Sequence, residues 1–477
     1  MTVEAQKTLN RTTMMGMVVG SMVGAGIFSL PATFGNATGP FGALIAWSIA
    51  GTGMLMLAFV FQFLAVRKPD LDAGIFTYAK EGFGDYLGFI AAFGFWAGSC
   101  LGNTTYFILI KSTLGAAIPA FGEGNTVPAV AVSSVILWSI HFMILRGVKQ
   151  AAGINKLVTV AKIVPILIFI IIVAFAFKKD LFADNFWGGA DYSFTDVMAQ
   201  VRRTMLVTVF VFIGVEGASV FSRYAKNRAD VGWATVMGFL GVLCLMILVT
   251  LLPYGVMLRS EIADLRQPSM AGVLQHVVGT WGAVFVSAGL IVSVLGAYLA
   301  WTLLCAEALF TASKYDLVPK VFGRENQNGV PHIALWLTNG LVQLFLIMTI
   351  FAQYAFDLTL ELTSAMTLIP YLLVAAFGLK LALTNETYEK DPRRLRNREL
   401  LFALIATVYA IFMIIAGGLG HVLLACILFA PGTLLFIFAR RELKLSTFNK
   451  VELILFCAIL LGAIIGIYSL ATGAITL

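Results

Sequence analysis

Apolar runs of about 18 or more residues recur along almost the whole chain, separated by short polar stretches, and a helix needs about 20 such residues to cross a bilayer. The pattern predicts thirteen spans, near 11–37, 40–65, 83–117, 126–145, 155–178, 202–222, 231–258, 280–312, 332–352, 360–383, 400–418, 420–438 and 451–472. No soluble domain fits between them, so residues 1–477 read as one all-α polytopic membrane unit. The opening segment MTVEAQKTLNR has no apolar core followed by a small-residue cleavage site, and is expected to be a short cytoplasmic tail.

Two spans depart from a plain apolar helix in the same way. In the first, Ser21-Met22-Val23-Gly24-Ala25-Gly26-Ile27-Phe28-Ser29-Leu30-Pro31 sets two glycines and a proline at mid-membrane. In the sixth, Phe212-Ile213-Gly214-Val215-Glu216-Gly217-Ala218-Ser219 sets two glycines around a carboxylate. Non-helical backbone at membrane depth is tolerated only where protein or a wet cavity satisfies it, and interrupted segments at matching positions of two halves point to a transporter's binding site. Close helix packing through small residues is the competing explanation for either glycine pair alone. Two breaks in register, one holding an acid, favour a site. Five crossings separate the two breaks, so the second half starts from the opposite face and the repeat is expected to be inverted. Repeat one then covers about 11–178 and repeat two about 202–383, with peripheral helices over about 400–472 that are available for homodimer contacts.

The cations fix the expected orientation. Lys7 and Arg11; Arg67, Lys68 and Lys80; Arg146, Lys149 and Lys156; Arg223, Lys226 and Arg228; and Lys314, Lys320 and Arg324 fall in alternate loops. The series continues through Arg393, Arg394, Arg396 and Arg398 to Arg440, Arg441, Lys444 and Lys450, against fewer in the opposite loops, which places the N-terminus in the cytoplasm and the protein in the inner membrane. The segment 67–84 mixes acids, bases and aromatics as a short interfacial helix would, and 178–203, with Trp187 and Tyr192, reads as an external cap.

With 60% hydrophobic and 12% charged residues and a mean hydropathy of +0.92, the chain has lipid as its solvent, and its net charge of +7 is a topology signal that carries no expectation of a nucleic-acid partner. Cys100, Cys244, Cys305, Cys426 and Cys457 stand apart in apolar spans and read as packing residues. The histidines at 141, 276, 332 and 421 stand singly near span ends, so no metal site and no cofactor are expected. There is no HExxH, carboxylate cluster or Ser/Lys pair at helical spacing, so no catalytic residue is assigned and the chain is not expected to be an enzyme.

At the first break, N–H groups freed near Gly24, Ala25 and Gly26 suit a carboxylate; at the second, carbonyls freed around Ile213, Gly214 and Val215 suit an ammonium. A zwitterionic amino-acid head fits between them. Glu216, an acid in an apolar span, reads as the group that couples the two breaks or senses a cationic ligand, with a hydrogen-bonded structural acid as the alternative. Trp301 offers a ring face to a guanidinium or ammonium, with core packing as the alternative, Glu307 lies six residues on, and Phe210 reads as a packing residue or a second wall. Trp96 and Asn103, seven residues apart, share a helix face and either can line the cavity or join helices. Lys162 either snorkels or supplies a fixed charge tying the first broken helix to helix eight, while Lys111 and Lys380 read as snorkellers.

These residues resemble the amino acid–polyamine–organocation superfamily, and within it the basic amino acid/polyamine antiporters. Gly24-Ala25-Gly26-Ile27-Phe28 is similar to the family's G-[SA]-G-[IV]-F break, the stretch Phe212 to Ala218 to its F-I-G-[VI]-E-[SG]-A segment, and Trp301-Thr302-Leu303-Leu304 to its W-T-L-L. The stretches 67–84, Gly122 to Thr126 and Pro268 to Val273 look most like arginine–ornithine antiporters. The resemblance implies a LeuT-like five-plus-five inverted repeat with helices one and six broken, and exchange of arginine for ornithine by alternating access. It further implies that Glu216 couples, Trp301 holds the cationic side chain and Lys162 stands where sodium sits in related symporters. Phe210 departs from the tryptophan usual in close relatives and is the weaker cation–π partner. Lysine, histidine and decarboxylated amines such as agmatine therefore stay open as substrates, as does proton-coupled symport.

Overall fold

The computed structural model describes residues 11–71, 75–147, 152–189, 193–216, 228–389 and 392–475. Among them every regular element is helical. The sequence explains why: apolar residues surround the long segments on all sides, and in lipid only intra-segment hydrogen bonds can satisfy the backbone. Eight helices are long and apolar enough to cross a membrane, and two bent pairs raise this to ten. The protein is thus a multi-pass membrane protein.

The first bent pair is α1 (Arg11–Met22) and α2 (Leu30–Ala37), inclined by 50° across a 3-10 turn at Ala25–Ser29. Next come α3 (Pro40–Arg67), the short α4 (Ile75–Phe83), α5 (Asp85–Gly115) and α6 (Val127–Leu145). The second bent pair joins α7 (Ala152–Ala176) to the short α8 (Lys179–Asn185). α9 (Phe194–Phe210) leads into the other break and α10 (Arg228–Leu251) follows. Two short helices, α11 (Arg259–Ala263) and α12 (Ser269–Val278), precede α13 (Thr280–Lys314), α14 (His332–Met348) and α15 (Ala355–Thr384). The chain ends in α16 (Arg393–Glu442) and α17 (Lys450–Ala471). At 50 residues α16 is about 75 Å of helix against a hydrocarbon core of about 30 Å, and Gly418, at φ 85° and ψ 162°, bends it into two arms.

Burial sorts the helices into centre and rim. The most apolar stretch of α15 is 61% buried inside the protein, whereas that of α17 is 11% buried and turns Ile454, Leu461 and Ile464 outward. α15 packs on α5, α16, α4, α9 and α3, and α13 packs on α5 and α7. The core therefore sits between α5, α9, α13 and α15, where the breaks also lie.

The segment expected at the interface does form a helix. Ile75, Phe76, Tyr78 and Ala79 of α4 are buried against α5 and α15, so its apolar face meets protein as well as the interface; residues 72–74 lie outside the described residues. Salt bridges gather on this face: Arg67 to Glu399 at 2.5 Å, Lys68 to Glu386 at 2.6 Å and Arg440 to Asp85 at 2.7 Å. On the opposite face α8 forms part of the expected cap. The Lys178 N–H donates to the Gly255 carbonyl and the Phe41 N–H to that of Phe186. Asn185 donates to the Tyr254 and Met257 carbonyls, and Arg259 to those of Gly35 and Gly188. Tyr192 of that cap, and Lys7, Lys149, Arg223 and Lys226 of the charge pattern, lie outside the described residues.

Two polar residues near span ends are buried inside the protein. His141 is fully buried: it meets Trp336 edge-on, with ring centres 4.2 Å apart, and its Nδ1 accepts from Asn339 at 2.9 Å, because α14 covers that face of α6. Lys111 does not snorkel. The 3-10 turn Pro119–Phe121 folds beside it, with the Phe121 ring 5.7 Å from its Nζ, and the side chain is fully buried. Lys380 donates to the Gly82 carbonyl at 2.7 Å and so anchors the end of α4.

Candidate binding cavity

The first break follows from glycine and proline placement. α1 ends at Met22, Gly24 is extended at φ −109° and ψ −155°, and the 3-10 turn runs directly into α2, whose first turn holds Pro31. Proline is tolerated there because the first N–H groups of a helix have no intrahelical acceptor. Gly26 is required for contact: a Cβ there would lie 2.8 Å from both Phe210 and Val211 at the end of α9. The second break is a run of turns over 211–216, in which the N–H groups of Phe212, Ile213 and Val215 bond the carbonyls of Val209, Phe210 and Phe212. Gly214 at φ +106° has a conformation that side chains rarely adopt. Gly217, Ala218 and Ser219 of the sequence motif lie outside the described residues.

The two breaks touch. The Ser21 hydroxyl donates to the carbonyls of Val18, in its own helix, and Gly214, across the interface, at 2.8 and 3.0 Å. A Cβ on Gly214 would come within 2.5 Å of the Ser21 carbonyl oxygen. Glu216 is 7% exposed; its Oε2 accepts from the Gly214 N–H at 3.1 Å and from the Tyr371 hydroxyl of α15 at 2.6 Å. These contacts bind the second break to itself and to α15. Lys162, also 7% exposed, donates to the Gly20 carbonyl at 3.2 Å, in the last turn of α1, where the helix dipole is negative. The expected tie to helix eight takes another form: α13 meets α7 by close packing, with Gly289 against Pro165.

A narrow cavity with about 30 Å³ of free space lies where the breaks cross. Gly24, Ala25, Gly26, Asn103, Phe210, Ile213 and Trp301 all reach its wall. Asn103 donates to the Thr302 hydroxyl at 3.4 Å, and its buried Oδ1 has no hydrogen-bond partner among the described residues. Trp301 packs beside Phe95, with ring centres 6.3 Å apart. Four of the expected residues are not in the wall. Gly214, Glu216 and Lys162 stand behind it and hold the breaks in place. Trp96 is buried elsewhere: seven residues displace it by about 10 Å along α5 from Asn103, and its indole N–H donates to Thr338 of α14 at 3.0 Å. Glu307 lies outside the wall too and contacts Thr311, a turn further along α13.

The wall also contains residues that the sequence reading did not single out. Ser99 and Tyr106 flank Asn103 on one face of α5, and Thr363 and Thr367 stand one turn apart on α15. Hydroxyls repeating at helical spacing in apolar spans were the available signal. The assembled site has helix-start N–H donors on one side, an unpaired amide oxygen and a helix end on another, hydroxyls, and two aromatic rings. Such a lining has the chemistry to meet a charged head group and an apolar or cationic side chain.

The Amino acid permease family model matches residues 9–423. The chain is 50% identical to an arginine/ornithine antiporter of Pseudomonas aeruginosa, with 100% of both chains covered. It is 38% identical to an arginine/agmatine antiporter of Chlamydia pneumoniae, covering 99% of each, and 37% identical to an L-lysine transport protein of Corynebacterium glutamicum, covering 99% of this chain and 97% of that one. With two broken helices crossing at a central cavity and likeness of this extent, the chain belongs to the amino acid permease family.

Proposed function

We propose that the protein exchanges cationic amino acids across the inner membrane by alternating access, with arginine entering as ornithine leaves. The observation that carries this is the cavity at the crossing of the two breaks, bounded by Gly24 to Gly26 on one side and by Phe210, Ile213 and Trp301 on others. The N–H groups at Ala25 and Gly26 receive the substrate carboxylate, the end of α9 the ammonium, and Trp301 and Phe210 the cationic side chain. The Asn103 Oδ1 adds an acceptor for an N–H of the substrate. Glu216 couples the cavity to α15 through Tyr371, and Lys162 supports the end of α1 by a fixed donor. The activities for which the relatives are named support the substrate class.

The same reading takes the N-terminus as cytoplasmic and counts thirteen spans with an inverted repeat over about 11–178 and 202–383. The cation-rich face around α4 supports that orientation. Transport involves no covalent chemistry on the substrate and needs no cofactor. Arginine–agmatine exchange is the second reading, favoured by the relative of that name. Radiolabelled arginine uptake into proteoliposomes preloaded with ornithine, agmatine, lysine or nothing separates these. Stimulation by internal ornithine above the others is the expected result. Uptake into empty vesicles driven by a pH gradient would replace exchange by symport.

A further inference from the structure

At the end of the bundle opposite α4, three polar contacts tie the bend of α16, α9 and α15 to one another in pairs. Arg202 of α9 donates from Nε to the Ala416 carbonyl at 3.0 Å. His421, in the first turn after Gly418, has Nδ1 2.8 Å from the Gly417 carbonyl oxygen and Nε2 2.7 Å from Oε2 of Glu361 on α15. The third contact joins α15 to α9 directly, from the Ser364 hydroxyl to the Leu206 carbonyl at 2.7 Å.

The histidine geometry has a consequence for protons. A carbonyl oxygen can only accept, so Nδ1 carries a hydrogen; a carboxylate oxygen also accepts, so Nε2 carries one too unless the carboxyl does. Either way, the pair holds one proton more than a neutral imidazole beside a carboxylate. The surrounding charges among the described residues are Asp357, one turn before Glu361 on α15, and Arg202 on α9. Beyond the end of α17, the apolar Ile475 lies beside Gly420. Both members are partly exposed, His421 at 24% and Glu361 at 30%.

α15 connects this pair to the binding cavity. Along it stand Glu361, then Thr363 and Thr367 in the cavity wall, then Tyr371 on Glu216. We propose that His421 and Glu361 form a proton-binding latch on the external side. With the proton bound, it holds the outer end of α15 against the bend of α16 and keeps the cavity closed to that side; without it, α15 is released. External acidity then slows substrate entry independently of any proton carried by substrate exchange. This rests on the cavity being the substrate site and on the N-terminus being cytoplasmic.

The test uses a reporter thiol, Thr363→Cys, in purified protein in detergent, where both faces are reachable. Labelling by a water-soluble maleimide is counted above that of the protein without the reporter, from about pH 5.5 to about pH 9, on either side of an ordinary imidazole. Comparing the His421→Gln background with the His421 background at each pH cancels the thiol's own titration. The expected ratio is about fivefold at the acid end, the size of a favourable partly exposed ion pair, falling to one at the alkaline end. Glu361→Gln should give the same profile, and it leaves the His421 contact to Gly417 in place. A ratio that stays flat with pH in both backgrounds overturns the latch. The readout needs no transport, so failure here is distinct from failure of the exchange reading.

Discussion

Replacing Gly214 by alanine acts at the point where the two breaks press together. At φ +106° the backbone lies in a region nearly restricted to glycine, which costs another residue about 1–3 kcal/mol. The added Cβ would also lie 2.5 Å from the Ser21 carbonyl oxygen and 2.8 Å from its carbon. Both are backbone atoms that cannot swing aside, and overpacking of this kind costs about 1–3 kcal/mol more. Any shift that relieves the clash stretches the 3.0 Å bond from the Ser21 hydroxyl to the Gly214 carbonyl, worth about 1 kcal/mol. The sum, about 3–7 kcal/mol, is enough to move the breaks apart or to lower the melting temperature visibly. Counterflow of arginine in proteoliposomes, with thermal melting in detergent, measures both. The control is Gly241→Ala on α10, where a Cβ meets nothing within 4 Å and little change is expected. Gly214→Ala protein with the melting temperature and exchange rate of the native protein would refute the contact between the breaks as a determinant of either.

Trp96→Phe removes the bond to Thr338 and should lower stability by about 1 kcal/mol while leaving the KM for substrate unchanged, as steady-state exchange would reveal. Glu216→Gln should cripple exchange while the folded protein still purifies as a monodisperse species, since an amide keeps the shape but weakens the charge-assisted bond from Tyr371; native exchange rates in that variant would count against the coupling role. Lys162→Met retains the length of the stem but loses the donor to Gly20, so exchange should fall more than the melting temperature does.

The breaks were legible because glycine and proline at mid-membrane conflict with an uninterrupted lipid-facing helix, and Gly26 and Gly214 occupy the positions where close approach or a positive φ demands them. Trp301, Phe210 and Asn103 were legible as polar or aromatic residues on the right spans. Thr363 and Thr367 were not, because a threonine bonding back into its own helix is unremarkable until α15 is seen to face the cavity. Trp96 misled by sharing a helix face with Asn103: a face fixes direction but not depth along the axis. Lys111 and His141 misled for a related reason, since distance from a span end says nothing about a turn or neighbouring helix that folds over the end. The bend of α16 was visible as a gap between two apolar runs, but the meeting of His421 with Glu361, sixty residues earlier, belongs to tertiary packing alone.

The central claim is that the cavity between the breaks binds the cationic side chain against Trp301. Calorimetric titration of the purified protein with arginine tests it most directly, comparing Trp301→Ala with Trp96→Phe. Removing a desolvated cation–π partner worth about 2 kcal/mol should weaken binding about 30-fold in Trp301→Ala, while Trp96→Phe, outside the wall, binds as the native protein does. Equal affinity of Trp301→Ala and the native protein would contradict it.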